Sequence, residues 1–261
     1  MKVISMKFLV TMMFGLSCLT PMIASAEVNV YSYRQSFLVE PLFAKFTELT
    51  GIKVNTIFAS KGLIPKLQME GRNSTADLLL PSNSTRLVEA QELGLTQSIQ
   101  DSAIEEAVPS TFRDPVGNWF GLTILARLIY ASKERVQEND INYEELTSSK
   151  WNRRICSRSG KNDYKIDLIS SMVAHHGFEE AKLWLKGVKK NLARRPQGND
   201  RAQVKAIYAG QWDISLGNSY YFGKILADKE QLEWARSVKL RFPNQGKRGT
   251  YVNISGMALS N

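Results

Sequence analysis

Two adjacent tyrosines, Tyr220 and Tyr221, stand where a predicted strand ends and a predicted helix begins. The preceding residues, Asn218 and Ser219, are also polar, whereas a tyrosine pair that served only to pack would favour one apolar face. A tyrosine phenolate is a hard, anionic oxygen donor, which matches a hard and highly charged cation such as Fe³⁺. A free phenol has a pKa of about 10, and a bound trivalent ion would drive its deprotonation at neutral pH. Ordinary packing of the two rings stays the alternative explanation.

A second strand-to-helix turn, residues 158–164, contains Ser159, Gly160 and Tyr164. Backbone N–H groups in such a turn can hold an anion, helped by the dipole of the following helix. Three phenolates would neutralise Fe³⁺, and a small anion held by this turn and by an arginine would fill the remaining coordination positions. Many loops share this composition, so the turn alone is a weak indication.

Other reactive arrangements are missing from the sequence. His175 and His176 are adjacent on a predicted helix, so they point in different directions and do not form a chelating pair. The sequence has no HExxH, CxxC, nucleophile-elbow, Walker or dinucleotide-binding motif. Nothing places a base beside a nucleophile, which favours a binding protein over an enzyme.

The elements that must position these residues begin in the order β-α-β-α-β, which predicts a mostly parallel sheet covered by helices. Residues 119–132 are long and apolar enough for an extended strand that crosses between two lobes. Ligands of open α/β sheets bind outside the carboxyl ends of the strands, so two facing lobes predict a cleft with a hinge. We expect strands at 28–33, 52–58, 77–80, 155–158, 212–217, 238–242 and 251–254, with helices at 37–49, 63–70, 163–176, 178–193, 200–209 and 219–226.

The first 26 residues have the three-part pattern of a secretory signal peptide. Lys2 and Lys7 precede a short apolar run, and Ala24-Ser25-Ala26 ends it with the small residues that a signal peptidase reads. The run is shorter than the ~20 residues of a membrane span. The pattern predicts an exported chain cleaved after Ala26; the alternative is a lipid anchor on Cys18.

The full chain has 34 basic and 25 acidic residues and a net charge of +9. The basic residues are scattered, which is typical of a solvated surface and gives no indication of nucleic-acid binding. After cleavage only Cys156 would remain, so the domain would have no internal disulfide. We therefore expect a monomer that is exported, has no stable membrane insertion and is stabilised by burial alone.

After the signal peptide, the whole chain resembles the periplasmic ferric-iron-binding proteins of bacterial ABC importers, which are two-lobed extracellular solute-binding proteins. The matching stretches are VYSYRQ (30–35), TGIKV (50–54), WFGLT (119–123), ICSRSGK (155–161), NLAR (191–194), PQGNDR (196–201), GNSYY (217–221) and VNISG (252–256).

The resemblance implies iron transport in the periplasm, with delivery of Fe³⁺ to an inner-membrane ABC permease. It implies that Tyr164, Tyr220 and Tyr221 bind the metal and that a carbonate- or bicarbonate-like anion completes the site. Other subgroups use a histidine or a further tyrosine after the first strand, where this chain has Gln35 and Ser36. The residues that the resemblance assigns to the anion are Arg34, Arg127, Ser159 and Gly160.

The chain departs from the family pattern in three places. Leu125 replaces an arginine of the family, residues 81–84 differ from a family stretch beside the cleft, and the chain ends at Asn261 where family members continue. We expect an N-terminal lobe of residues 27–122 and 243–261, a C-terminal lobe of residues 123–242, and a truncated C-terminus. The alternatives are a binding protein or sensor for an organic cation such as a polyamine or a thiamine-like compound, and a truncated remnant with impaired binding.

Overall fold

The computed structural model describes residues 26–261, so the signal-peptide prediction lies outside the described residues except for Ala26. The chain begins with three parallel strands, β1 (Glu27–Ser32), β2 (Lys53–Phe58) and β3 (Leu78–Leu80), in the spatial order β2-β1-β3. Helices α1 (Ser36–Thr50) and α2 (Leu63–Glu70) connect them. This arrangement confirms the predicted β-α-β-α-β unit.

Helix α1 ends as its sequence predicts. Gly51 follows the helix with a φ of 73°, and its N–H donates to the Thr47 carbonyl at 2.8 Å. Only glycine adopts this left-handed conformation without a steric penalty. The apolar residues of α1 do not all face the core. Leu42 is 61% and Leu49 is 72% exposed, whereas Val39 is buried.

Two long strands join the two halves of the molecule. β5 (Phe120–Ser132) pairs antiparallel with β9 (Val252–Ser260), from Phe120 opposite Met257 to Ala126 opposite Val252. The far end of β9 pairs with β3 and with the short strand β4 (Thr96–Gln97), whereas the far end of β5 continues into a second sheet. These are the crossing strands that a two-lobed binding protein requires.

The second sheet consists of the end of β5 with strands β6 (Ile155–Cys156), β7 (Ile214–Asn218) and β8 (Val238–Arg241). We call the sheet of β1–β4 with the end of β9 the first lobe, and this second sheet with its helices the second lobe. Within residues 26–261 the remaining α-helices are α3 (Ser84–Glu92) and α4 (Ser102–Ala107) in the first lobe, and α5 (Asp163–His176), α6 (Phe178–Lys190), α7 (Asp200–Tyr208), α8 (Ser219–Leu226) and α9 (Leu232–Arg236) in the second.

Each lobe has its own apolar core. In the second lobe Trp151 and Leu168 pack on one face of the sheet, and Val204 and Ile225 pack on the other. In the first lobe buried side chains of β1, α2 and β3 pack together, including Leu67. The predicted lobe boundaries stay a prediction; Asn244 and Arg248 contact Glu144 of the second lobe. No helix in residues 26–261 has the length and apolar character needed to span a membrane.

Candidate functional site

The tyrosine pair lies at the junction of β7 and α8, as the sequence predicts. Strand β7 is buried throughout, and α8 begins immediately after it at Ser219. The Ala126 N–H of β5 donates to Ser219 Oγ at 3.1 Å, and the Tyr130 hydroxyl donates to the Asn218 carbonyl at 2.7 Å. These two contacts anchor the start of α8 on strand β5, so the tyrosines project from a fixed turn.

The three predicted tyrosines meet in one place. The rings of Tyr220 and Tyr221 are 4.4 Å apart between centroids, and both line a cavity of about 220 Å³ together with Tyr164. Burial raises the pKa of Tyr220, and the neighbouring Tyr164 and Tyr221 phenols raise it further. The Tyr220 phenol therefore stays protonated at neutral pH unless a cation compensates for its ionisation. We call this space the tyrosine cavity.

The tyrosine cavity lies at the carboxyl ends of strands from both lobes. Arg34 follows β1, Ser60 follows β2 and Ser82 follows β3, while Arg158 follows β6 and Tyr220 follows β7. Loops at the carboxyl ends of parallel strands converge on the same side of each sheet, which is where α/β proteins bind ligands. Facing lobes thus bring both sets of loops to one interlobe cleft.

Charged side chains connect the lobes across this cleft. Arg86 of α3 pairs with Asp163 of α5 at 2.8 Å, and its guanidinium lies 4.1 Å from the centroid of the Tyr33 ring. A second contact between the lobes, outside the cavity lining, brings Lys224 of α8 to 3.8 Å from the centroid of the Phe37 ring of α1. These contacts hold the two lobes together beside the tyrosine cavity.

A buried polar cluster joins the lobes beside the hinge strands. Asp167 of α5 accepts hydrogen bonds from Thr85 at 3.1 Å, Asn83 at 3.4 Å and Asn253 at 2.8 Å. Burial raises the pKa of Asp167, Asp163 adds to the rise, and the donors oppose it. Asn83 comes from the stretch 81–84 that departs from the family pattern, so this departure lies at the lobe contact.

The structure places the residues assigned to the anion in different surroundings. Arg34 lines the tyrosine cavity. Ser159 and Gly160 form an exposed turn outside its lining, although their neighbours Arg158 and Asn162 belong to it.

The expectation that Arg127 binds the anion is not supported by its position. Its side chain is 1% exposed, and its guanidinium lies 3.6 Å from the Asp200 carboxylate and donates to Asn218 Oδ1 at 2.8 Å. The side chain is thus buried among residues of the second lobe and is not part of the cavity lining. Burial, followed by repulsion from Arg127, lowers the pKa of the nearby Lys165 to about 7.

Sequence reasoning missed Arg86 as a member of the cavity lining, and it included Arg158 in the turn 158–164 without assigning it to the anion. Both follow a strand of the sheet, and Asn83 marks the start of α3 because its side chain accepts a hydrogen bond from the Arg86 N–H at 3.1 Å. A capping residue after a strand would have indicated this helix start and placed Arg86 in its first turn. Leu125 is buried and lies outside the lining, so no arginine occupies the position where the family has one.

Comparisons with known proteins agree with the binding-protein geometry described above. No protein-family model matches the chain. Iron uptake protein A1 of Synechocystis sp. is 43% identical over 237 residues, which cover 89% of this chain and 66% of the relative. The structure of Pasteurella haemolytica apo ferric ion-binding protein A is 46% identical with a TM-score of 0.86, over 90% of this chain and 74% of the other.

The chain belongs to the family of bacterial ferric-iron-binding proteins. A further member, a Trichodesmium protein (IdiA, FutA) solved in complex with iron and citrate, is 41% identical with a TM-score of 0.84 and matches 90% of this chain and 76% of its own. The chain spans about two thirds of the length of the curated relatives it matches, 66% and 67% for the two Synechocystis proteins. The two-lobed fold predicted from the sequence is that of the ferric-iron-binding proteins.

Proposed function

We propose that this protein binds Fe³⁺ as cargo through the phenolate oxygens of Tyr164, Tyr220 and Tyr221. The observation that carries the proposal is that all three side chains line one cavity between the lobes. Oxygen donors of this kind suit a hard trivalent cation, and three phenolates neutralise its charge within a partly buried site. The protein does no covalent chemistry in this role.

The charges around the cavity favour a small oxyanion as a second component of the site. Arg34, Arg86 and Arg158 all contribute to the lining, whereas its carboxylate, Asp163, is already paired with Arg86. An Fe³⁺ ion with three phenolates is neutral. Arg86 is paired with Asp163 and Arg158 lies 3.5 Å from Asp200, so Arg34 is the lining guanidinium without a carboxylate partner in residues 26–261, and it is available for carbonate or bicarbonate, or for citrate as in the Trichodesmium complex. The same arginines would repel a polyamine or thiamine-like cation, which argues against the organic-cation alternative.

We further propose that the protein acts in the periplasm and releases iron to an inner-membrane ABC permease. The interlobe contacts of Arg86 and Asp167 are noncovalent and lie at a hinge of two strands, so opening the cleft breaks few interactions. A receptor-docking sensor would share every feature of the cleft. Import of iron by cells that carry the permease, and its loss when this protein is deleted, separates the two roles.

The direct test is the absorption spectrum of the purified protein with ferric iron, because phenolate–iron complexes absorb visible light. We expect the parent to develop colour and Tyr220→Phe and Tyr221→Phe to lose it, each with iron affinity at least about tenfold lower. Tyr208→Phe is the matched control, since Tyr208 is 51% exposed and lies outside the cavity lining. Unchanged iron binding in both cavity variants would show that the ligands are wrong.

A second measurement addresses the anion. Iron titrations with bicarbonate, with citrate and with neither should differ in affinity if an oxyanion completes the site. Arg158→Gln should reduce this difference, because Arg158 lines the cavity, whereas Arg236→Gln, on the exposed surface, should not. Equal affinities under all three conditions would remove the anion from the proposal.

A further inference from the structure

A second cavity lies in the second lobe, behind the turn that carries Tyr164. It has a volume of about 500 Å³ and lies between the start of α5, the last turns of α6 and the segment that follows α6. Arg158 is the one residue that lines both this cavity and the tyrosine cavity among the described linings. We call the second cavity the basic pocket.

The basic pocket is defined by charge of one sign. Arg158, Lys165, Lys189, Arg194 and Arg195 contribute to its lining, and no acidic residue of the described chain is among the lining residues. Such a one-signed concave surface concentrates anions. The exposed members Lys189 and Arg195 lie at its rim, while Lys165 is only 5% exposed.

Lys165 provides the strongest indication of a ligand. Its Nζ atom is buried and has no hydrogen-bond partner within residues 26–261. Buried polar groups in proteins are nearly always hydrogen-bonded, and an amine has donors only when protonated and a lone pair only when neutral. Because this atom has no exposed surface, the Lys165 side chain has to turn toward the pocket to donate to an anionic oxygen there, and binding such an oxygen would give the group the partner that it lacks.

The other wall of the pocket is apolar. Leu185, Val188, Leu192 and Pro196 line it, with Val188 buried and Leu185 37% exposed at the entrance. A bare inorganic ion would leave this wall and most of the volume without contacts. The ligand that matches both walls has an anionic head and an apolar body.

We propose that the basic pocket binds an amphiphilic organic carboxylate, with its head at Lys165 and its chain against the apolar wall formed by α6. The site is separate from the tyrosines, so the proposal does not rest on iron binding. Since Arg158 borders both cavities, occupation of the pocket also gives a route by which such a carboxylate influences the cleft.

Octanoate is the probe, titrated into the iron-free full chain by calorimetry. We expect saturable binding in the millimolar range or tighter, and at least about tenfold weaker binding of the uncharged 1-octanol. Lys165→Met should weaken octanoate binding at least about tenfold, and so should Leu185→Glu, which places a negative charge at the entrance. Leu183→Glu is the matched control, since Leu183 is 56% exposed on the same helix and lies outside the lining.

Any one of three outcomes would overturn the proposal. These are no saturable octanoate binding up to about 10 mM, equal binding of octanoate and 1-octanol, or equal binding by the Leu185→Glu and Leu183→Glu variants. Circular dichroism of each variant establishes that it is folded. Leu185→Glu keeps the test decisive if Lys165→Met perturbs the second lobe, because Leu185 lies at the surface.

Discussion

The ion pair between Arg127 and Asp200 lies directly behind the tyrosine pair, and it gives a stability prediction of defined size. The two side chains are 1% and 0% exposed and their charged atoms are 3.6 Å apart. Asp200 also accepts a hydrogen bond from the Asn218 N–H at 3.1 Å and lies 3.5 Å from the Arg158 guanidinium. Removing the Asp200 charge leaves Arg127 without a carboxylate, and removing Arg127 leaves Asp200 with only Arg158 and the Asn218 N–H; breaking a buried pair in this way costs about 3–5 kcal/mol.

We therefore expect Arg127→Met and Asp200→Asn each to lower the free energy of unfolding by about 3–5 kcal/mol, a large part of the ~5–15 kcal/mol of a typical domain. Urea denaturation followed by tryptophan fluorescence measures this loss. The double variant should lose at least about 1.5 kcal/mol less than the sum of the single variants, because the two groups interact directly. Arg236→Met is the matched control: its pair with Glu233 is 65% and 61% exposed, and it should cost under about 1 kcal/mol.

The same experiment separates a structural role of Arg127 from the anion-binding role that the family resemblance implied. A structural role predicts loss of stability in the iron-free protein, whatever anion is present. If Arg127→Met unfolds at the same urea concentration as the parent but loses the bicarbonate dependence of iron binding, the reasoning from burial is wrong. An additive double variant would likewise refute direct coupling to Asp200.

Two further predictions concern the frame of the site and the surface of the second lobe. A Cβ on Gly217 would lie 2.1 Å from the Tyr130 ring, so Gly217→Ala should lower the free energy of unfolding by about 1–3 kcal/mol. A Cβ on Gly223 would have no atom within 4 Å, so Gly223→Ala should raise it by about 0.5–1 kcal/mol. Thermal unfolding measures both changes, and equal melting temperatures of the two variants would contradict this prediction. Burial opposes ionisation of Glu144, but hydrogen bonds from Asn244 and other side chains outweigh it and hold the pKa at about 2. Glu144→Gln should therefore cost about 1–2 kcal/mol at pH 7 after allowance for solvent screening, and the difference from the parent should disappear as the pH falls from about 4.5 to about 2.

Much of the fold was predictable because local patterns and tertiary packing agree. The strand that became β1, the glycine that ends α1 and the long strand β5 all carry strong local signals, and the structure places each where its pattern indicated. Helices α3, α4 and α9 were not predicted. Helices α4 and α9 have six and five residues, which is too short for a clear helical period in the sequence. Helix α3 has nine residues, but only Leu87 and Ala90 of them are buried, so its apolar face is weak in the sequence.

The candidate site also has one part that the sequence predicts and another that depends on tertiary structure. The strand-to-helix junction of Tyr220 and Tyr221 is a local feature, and the sequence shows it directly. The contribution of Arg86 depends on the first lobe facing the second, because its partner Asp163 lies 77 residues further along the chain. No local sequence pattern predicts a contact between two residues so far apart in the chain.

By itself, the sequence determined the donor chemistry of this protein, because three tyrosines at strand-to-helix turns offer hard oxygen ligands whatever surrounds them. Only the tertiary structure decided which arginine side chains line the cavity together with these tyrosines. The alternation of side chains along a strand is fixed by the backbone, but which side faces the cleft depends on the neighbouring strands. Arg127 on β5 therefore lies buried against Asp200, whereas Arg86 reaches the cavity from helix α3 and Arg158 from the loop after β6.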